Sequence, residues 1–227
     1  MKLWNIILPS LALWCSAELG AQPASSNEFR DTTVVIYRES GLPETLTSYD
    51  EGGRKHGVYM RFNGQGVARL ISYYMHGLQH GKHLRIGRRG KIVEESFYYH
   101  DQLDSLQTVY YDNGKMQSRQ AYRRGTKHGE ASWYYRNGNL SVAYQYEDGQ
   151  LEGDAKTYYK DGAVKEIYTY DDNQRDGSYQ EFYEDGKIKI EGAYDEGAKD
   201  GEWKYYTEEG KIEKTEEYRK GELKSDL

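Results

Sequence analysis

The sequence predicts an all-β protein, an elongated single-sheet solenoid of stacked antiparallel β-hairpins with a 24-residue repeat. Three observations predict it. One 24-residue pattern recurs seven times across residues 57–224 without insertion or deletion, beginning at Gly57, Gly81, Ser105, Gly129, Gly153, Gly177 and Gly201. Two slots in every unit hold residues suited to a left-handed backbone. The two segments between those slots are rich in Tyr, Val, Ile and Thr, which suit strands.

The first slot is position 9, counting each unit from zero. It is Gly in all copies: Gly66, Gly90, Gly114, Gly138, Gly162, Gly186 and Gly210. Asn or Asp precedes it at Asn113, Asn137, Asp161 and Asp185, and such pairs favour the positive φ angles of hairpin turns. The second slot, position 20, reads Gly77, Asp101, Gly125, Gly149, Asn173, Gly197 and Gly221. Its exceptions are Asp and Asn, the non-glycine residues that best tolerate that conformation. Two turns leave two short strands, at about positions 1–7 and 10–18.

Alternation along a strand then assigns faces. Position 5 is aromatic or Ile (Phe62 to Tyr206), position 11 is mostly aliphatic (Ala68 to Ile212), and position 17 is Tyr in every copy. All three are odd, so the expectation is that they share one packed face.

In chain order, residues 1–21 are expected to be a signal peptide, with Lys2, an apolar stretch from Leu3 to Trp14, and Ala17 or Ala21 for cleavage. The apolar part is too short to span a bilayer. Cys15 suggests lipidation, but bulky Trp14 stands where a small residue is expected. Export to the periplasm, the outer membrane or the outside follows. Residues 22–33 read as a polar linker, 34–56 as a degenerate capping repeat with one residue inserted, and 225–227 as a tail.

Composition agrees with a thin solenoid: 37% of residues are apolar and 30% charged, too few apolar groups for a thick core. A lone hairpin is marginal in water, so stability must come from stacked neighbours. At roughly 10 Å per unit the array would extend on the order of 70 Å. Charge is uneven along it. Residues 54–128 carry 14 Lys and Arg against 5 Asp and Glu, a net +9, and residues 129–227 carry 14 against 25, a net −11. Drift of charge on solvated faces explains this, as would a basic half that meets an anionic surface or head-to-tail association.

The pattern Gly, Tyr-Tyr-x, Asn or Asp, Gly-x-apolar, Tyr-x-x-Gly resembles the MORN repeat in its bacterial variant form. GEASWYYRNGNLSVAYQYEDGQLE (129–152) and GEWKYYTEEGKIEKTEEYRKGELK (201–224) carry the likeness. The resemblance implies an array of antiparallel hairpins used as a scaffold for protein contacts and, in some members, lipid contacts. Many bacterial variants are similar to antitoxins of toxin–antitoxin pairs, although a signal peptide argues against a cytoplasmic toxin.

Catalysis needs one special place, and no loop between Gly57 and Lys224 is enlarged, so no enzyme, catalytic residue or cofactor is expected. There is no nucleophile elbow, phosphate loop or dinucleotide fingerprint. His76, His80 and His83 have a spacing that suggests a metal, yet His56, His80 and His128 share one repeat slot, and no metal ligand set is assigned. The candidate binding strip lies on even positions: Tyr111, Tyr135, Tyr159 and Tyr183 at position 6, with Trp133 and Tyr205 at position 4. An aromatic row on a polar face either binds a partner or stiffens the sheet by cross-strand packing. The expected function is a non-enzymatic envelope scaffold or adaptor for protein partners. A glycan- or peptidoglycan-binding module and an antitoxin or immunity-type protein are the alternatives. A membrane surface is a further possible contact, no nucleic-acid partner is expected, and the oligomeric state is left open.

Overall fold

The computed structural model describes residues 32–226, and the expected signal peptide and nearly all of the linker lie outside them. The described residues form one open antiparallel sheet of 19 strands, with no helix. Pairing follows chain order, from Thr32–Tyr37 against Pro43–Tyr49 to Ile212–Arg219 against Glu222–Asp226, and the short strands Gln102–Leu103 and Gln150–Leu151 share a partner with the segment that follows each of them. The first strand begins inside the segment read as linker, and the chain end supplies an edge strand that starts an eighth hairpin.

Both turns obey the left-handed requirement. Position 20 has positive φ at every copy, including Asp101 (65°) and Asn173 (67°). Position 19, from His76 to Lys220, also has positive φ throughout, so both central residues of this turn are left-handed, as a type I′ hairpin demands. At the other turn the amide of Gly138 donates to the Tyr135 carbonyl and that of Tyr135 to the Asn139 carbonyl, both at 2.8 Å. Asn137 Oδ1 accepts from the Asn139 amide at 3.0 Å, and Asp161 and Asp185 do the same in the next two units. These Asx contacts are why Asn and Asp recur one residue before the glycine. Units are then tied edge to edge: the Gly149 amide donates to the Lys127 carbonyl at 2.9 Å, and the same bond joins every successive pair of units, as Gly221 to Lys199.

The face assignment differs from the expectation. Tyr146, at position 17, pairs with Gly129, and Tyr144 with Ala131, so position 17 shares a face with positions 2, 4, 13 and 15. Tyr134 and Leu140, at positions 5 and 11, lie on the other face. Two effects reset parity. Partners across the hairpin sum to 17, so odd faces even, and a bulge leaves position 12 unpaired between Val142 and Leu140.

The core is a single row on the tyrosine face, made by positions 2 and 15. Ala131, Ala155, Tyr168, Tyr179 and Trp203, the buried apolar residues, all stand on it, and so do buried Ser72, Ser96 and Glu216. In four hairpins the direct pair in this row matches large with small: Tyr59 with Ser72, Ala131 with Tyr144, Ala155 with Tyr168, Tyr179 with Gly192. In a sheet with no second layer, one ring must cover two strands, and its neighbour must give way. From Tyr168 onward the rings run together: Tyr179 stacks on Tyr168 at 6.4 Å and on Trp203 at 5.3 Å, while Tyr194 and Tyr218 meet Trp203 edge-on.

Candidate functional site

The four position-6 tyrosines are in use. Tyr111, Tyr135, Tyr159 and Tyr183 each donate the hydroxyl to the position-5 carbonyl of the next unit, at 2.7, 2.7, 2.8 and 2.6 Å. They form a ladder along the turn edge that stitches five units together. Trp133 packs edge-on against Tyr144 at 5.8 Å, with the Lys127 ammonium 5.7 Å from its ring. Tyr205 accepts a hydrogen bond from Lys199 at 3.1 Å and lies 4.4 Å under the Lys214 ammonium. Burial, reinforced by the Glu216 carboxylate, raises the Tyr205 phenol. The structure thus distributes the six candidate residues between an edge ladder (Tyr111, Tyr135, Tyr159 and Tyr183) and the packed tyrosine face (Trp133 and Tyr205).

Cations at position 22 cover the same face. Lys55 lies over Tyr59 and Tyr74 at 4.6 and 4.8 Å, Arg175 over Tyr168 at 4.5 Å, and Lys199 over Trp203 and Tyr218 at 4.1 and 4.8 Å. These rings already have partners within the chain.

The other face carries a surface that sequence reasoning missed. Along its central row the direct pairs run Val35, Leu46, Met60, Ile71, Leu84, each facing the next across adjacent strands. Val58 pairs with Tyr73 beside that row, and Lys82 with Phe97. Tyr73 is 43% and Phe97 38% exposed, and no second layer covers them among the described residues. Beyond Leu84 the row becomes Glu95, Thr108, Arg119, Ser132, Ala143, Lys156, Ile167, Gln180, Glu191 and Lys204, with Ala143 and Ile167 as isolated apolar members. The unbroken apolar run is therefore confined to the cap and the first two units. Its sequence signal was present, since positions 1, 3, 14 and 16 read Val58, Met60, Ile71 and Tyr73 in the first unit. Ranking residues by repetition hid it, because these positions do not repeat.

The histidine spacing resolves differently from the sequence pattern. His83 is turned into the sheet, bonded to Ser72 Oγ at 2.9 Å and Gln79 at 2.7 Å, and burial lowers its pKa. His80 meets the tilted rings of Tyr99 and His100 at 5.1 and 5.5 Å. His76 instead meets His56, ring to ring at 4.9 Å, and Asp50 at 3.3 Å. Asp50 also accepts from the Arg54 amide and Nε at 2.9 and 3.0 Å, and these bonds hold its carboxyl down at about 2.

Comparison with known proteins gives one family. The MORN repeat variant matches residues 103–123, 127–148, 151–172, 175–196 and 199–220, five successive units in register with the observed hairpins. No curated protein matches. Among solved structures, that of a Photorhabdus luminescens Tc holotoxin pore aligns at 13% identity and a TM-score of 0.19, over 84% of this chain and 13% of the other. The regular hairpin unit, its two left-handed turns and the five matched repeats lead to one conclusion: the chain belongs to the MORN repeat variant family.

Proposed function

We propose that the protein is a non-enzymatic scaffold of the cell envelope that holds a protein partner against the apolar face of its cap and first two units. MORN repeats make it a repeat protein suited to binding. One observation carries the finer reading: Val35, Leu46, Met60, Ile71 and Leu84 form an unbroken apolar row, flanked by exposed Tyr73 and Phe97, on a single-layer sheet. An uncovered apolar strip of this kind marks a contact surface. The partner's chemistry follows from the surroundings. The cap and first two units, residues 34–104, carry 10 Lys and Arg against 8 Asp and Glu, and residues 105–128 next to them carry 5 against 1, so the fitting partner presents an apolar strip with an acidic border toward the third unit. The unbroken 24-residue period, which leaves no enlarged loop for a reactive centre, supports a role without catalysis. Export rests on the signal-like residues 1–21.

The test is affinity capture from envelope extracts. Wild type is compared with Tyr73→Ser/Phe97→Ser and with Thr169→Ser, the latter at the same slot in the acidic half. A partner retained by wild type and Thr169→Ser, lost from the double variant and released by moderate salt, is the expected result. A partner held equally by all three would refute the assignment.

A further inference from the structure

We propose a divalent transition-metal site formed by Asp50, His56 and His76, at the junction between the cap and the first unit. One donor atom from each of the three side chains lies within 4.8 Å of the others. They come from three separate places. Asp50 follows the strand Pro43–Tyr49, His56 lies in the strand Lys55–Phe62, and His76 occupies the left-handed turn after Ala68–Met75. This junction is also where the 24-residue period breaks, because the cap carries one additional residue. The loop folds back through bonds from the Asp50 amide to the Arg54 carbonyl and from the Gly53 amide to the Asp50 carbonyl, both 2.9 Å, and so places the carboxylate beside the two rings.

The repeat supplies its own control. The same two slots bring His80 and His100 together one unit later, with ring centroids 5.5 Å apart, and there the third neighbour is Tyr99. Only the irregular loop adds a carboxylate to a histidine pair.

Two imidazole nitrogens and one carboxylate oxygen suit Zn²⁺ and its neighbours in the first transition row, with water completing the shell. Metal–ligand bonds of about 2.0–2.2 Å require the three donors to close in by on the order of 1 Å. The side chains of His76 and Arg54 are 57% and 58% exposed and have room to move. Arg54 now holds Asp50 Oδ2 and must let go when the ion enters, so it acts as a competitor for the site.

Calorimetric titration of tag-free full-length protein with Zn²⁺ tests this. One ion per chain should bind at micromolar concentration. Asp50→Asn and His76→Ala should each weaken binding at least about tenfold, and Arg54→Ala should tighten it. His80→Ala and His83→Ala should leave it unchanged. Circular dichroism on each variant separates lost binding from lost folding. No zinc uptake by wild type, or uptake that survives His76→Ala and disappears in His80→Ala, would overturn the proposal. Neither result bears on the apolar face, whose variants lie on other residues.

Discussion

Gly192 and Trp203 occupy one space on the tyrosine face. A Cβ built on Gly192 would lie 2.5 Å from Trp203 Cε2 and 2.8 Å from Cγ, so the indole covers the glycine directly. Trp203 is 1% exposed and donates its Nε1 hydrogen to the Ala193 carbonyl at 3.1 Å. This glycine has no left-handed φ to satisfy; it is there for room. Gly192→Ala should cost about 1–3 kcal/mol by overpacking, and Trp203→Ala about 3–5 kcal/mol. In the Trp203→Ala background the glycine substitution should become nearly neutral. Urea denaturation of the four proteins would measure the coupling, and simple additivity would show that the two residues do not compete.

Ser105 is the one unit start that is not glycine, and it holds φ at 71° alongside glycines at 72–93°. A side chain there costs about 1–2 kcal/mol relative to glycine. Ser105→Gly should therefore raise stability by about 1 kcal/mol, seen as a higher denaturation midpoint without a change of slope.

The hydroxyl ladder ties five units together, so its removal should act on stability. Tyr135→Phe removes the 2.7 Å bond to the Tyr158 carbonyl and should cost about 0.5–1.5 kcal/mol. Replacing Tyr111, Tyr135, Tyr159 and Tyr183 together by Phe should lower the melting temperature markedly while leaving partner capture intact. Lost capture by a folded quadruple variant would move the binding strip to the turn edge.

Glu216 supplies the pH signature. It is buried and accepts from Lys214 at 2.7 Å and from the Tyr218 hydroxyl at 3.0 Å. The Lys214 bond, followed by the Tyr205 hydroxyl, lowers its carboxyl from 4.5 to about 2. A depressed folded value means stabilisation that is complete above about pH 4.5 and fades as pH falls toward 2. Glu216→Gln should melt about 2–4 °C below wild type at pH 7, the equivalent of about 1 kcal/mol, and the gap should close across that acid window. A gap that stays constant from pH 7 to pH 2 would remove the ion pair from the account.

Much of this architecture was legible in the sequence, because positive φ is a steric demand that few residues meet. Gly138, Asn173 and Asp101 announce their turns for that reason, and the match of five repeats follows the same register. Face assignment was not legible. Parity holds within one strand, and the unpaired residue at position 12 together with the odd-to-even hairpin register moved every position-17 tyrosine to the opposite side. Volume exchange between Ala155 and Tyr168, or Gly192 and Trp203, is invisible until the pairing is known. The apolar row from Val35 to Leu84 escaped notice because its residues do not recur from unit to unit, and recurrence marks only what the hairpin itself requires. The histidine spacing misled in a related way: His76 lies near His80 in sequence, yet the hairpin returns it to His56.

The proposed role depends on which side of the ribbon meets a partner. Photo-crosslinking in the native host, with a benzophenone amino acid placed at residue 73, 97 or 169, interrogates that side directly, since the three positions are one slot in three units. Adducts of one common mass from positions 73 and 97, with none from 169, are the predicted result. Equal adducts from all three positions, or adducts from 169 alone, would contradict it.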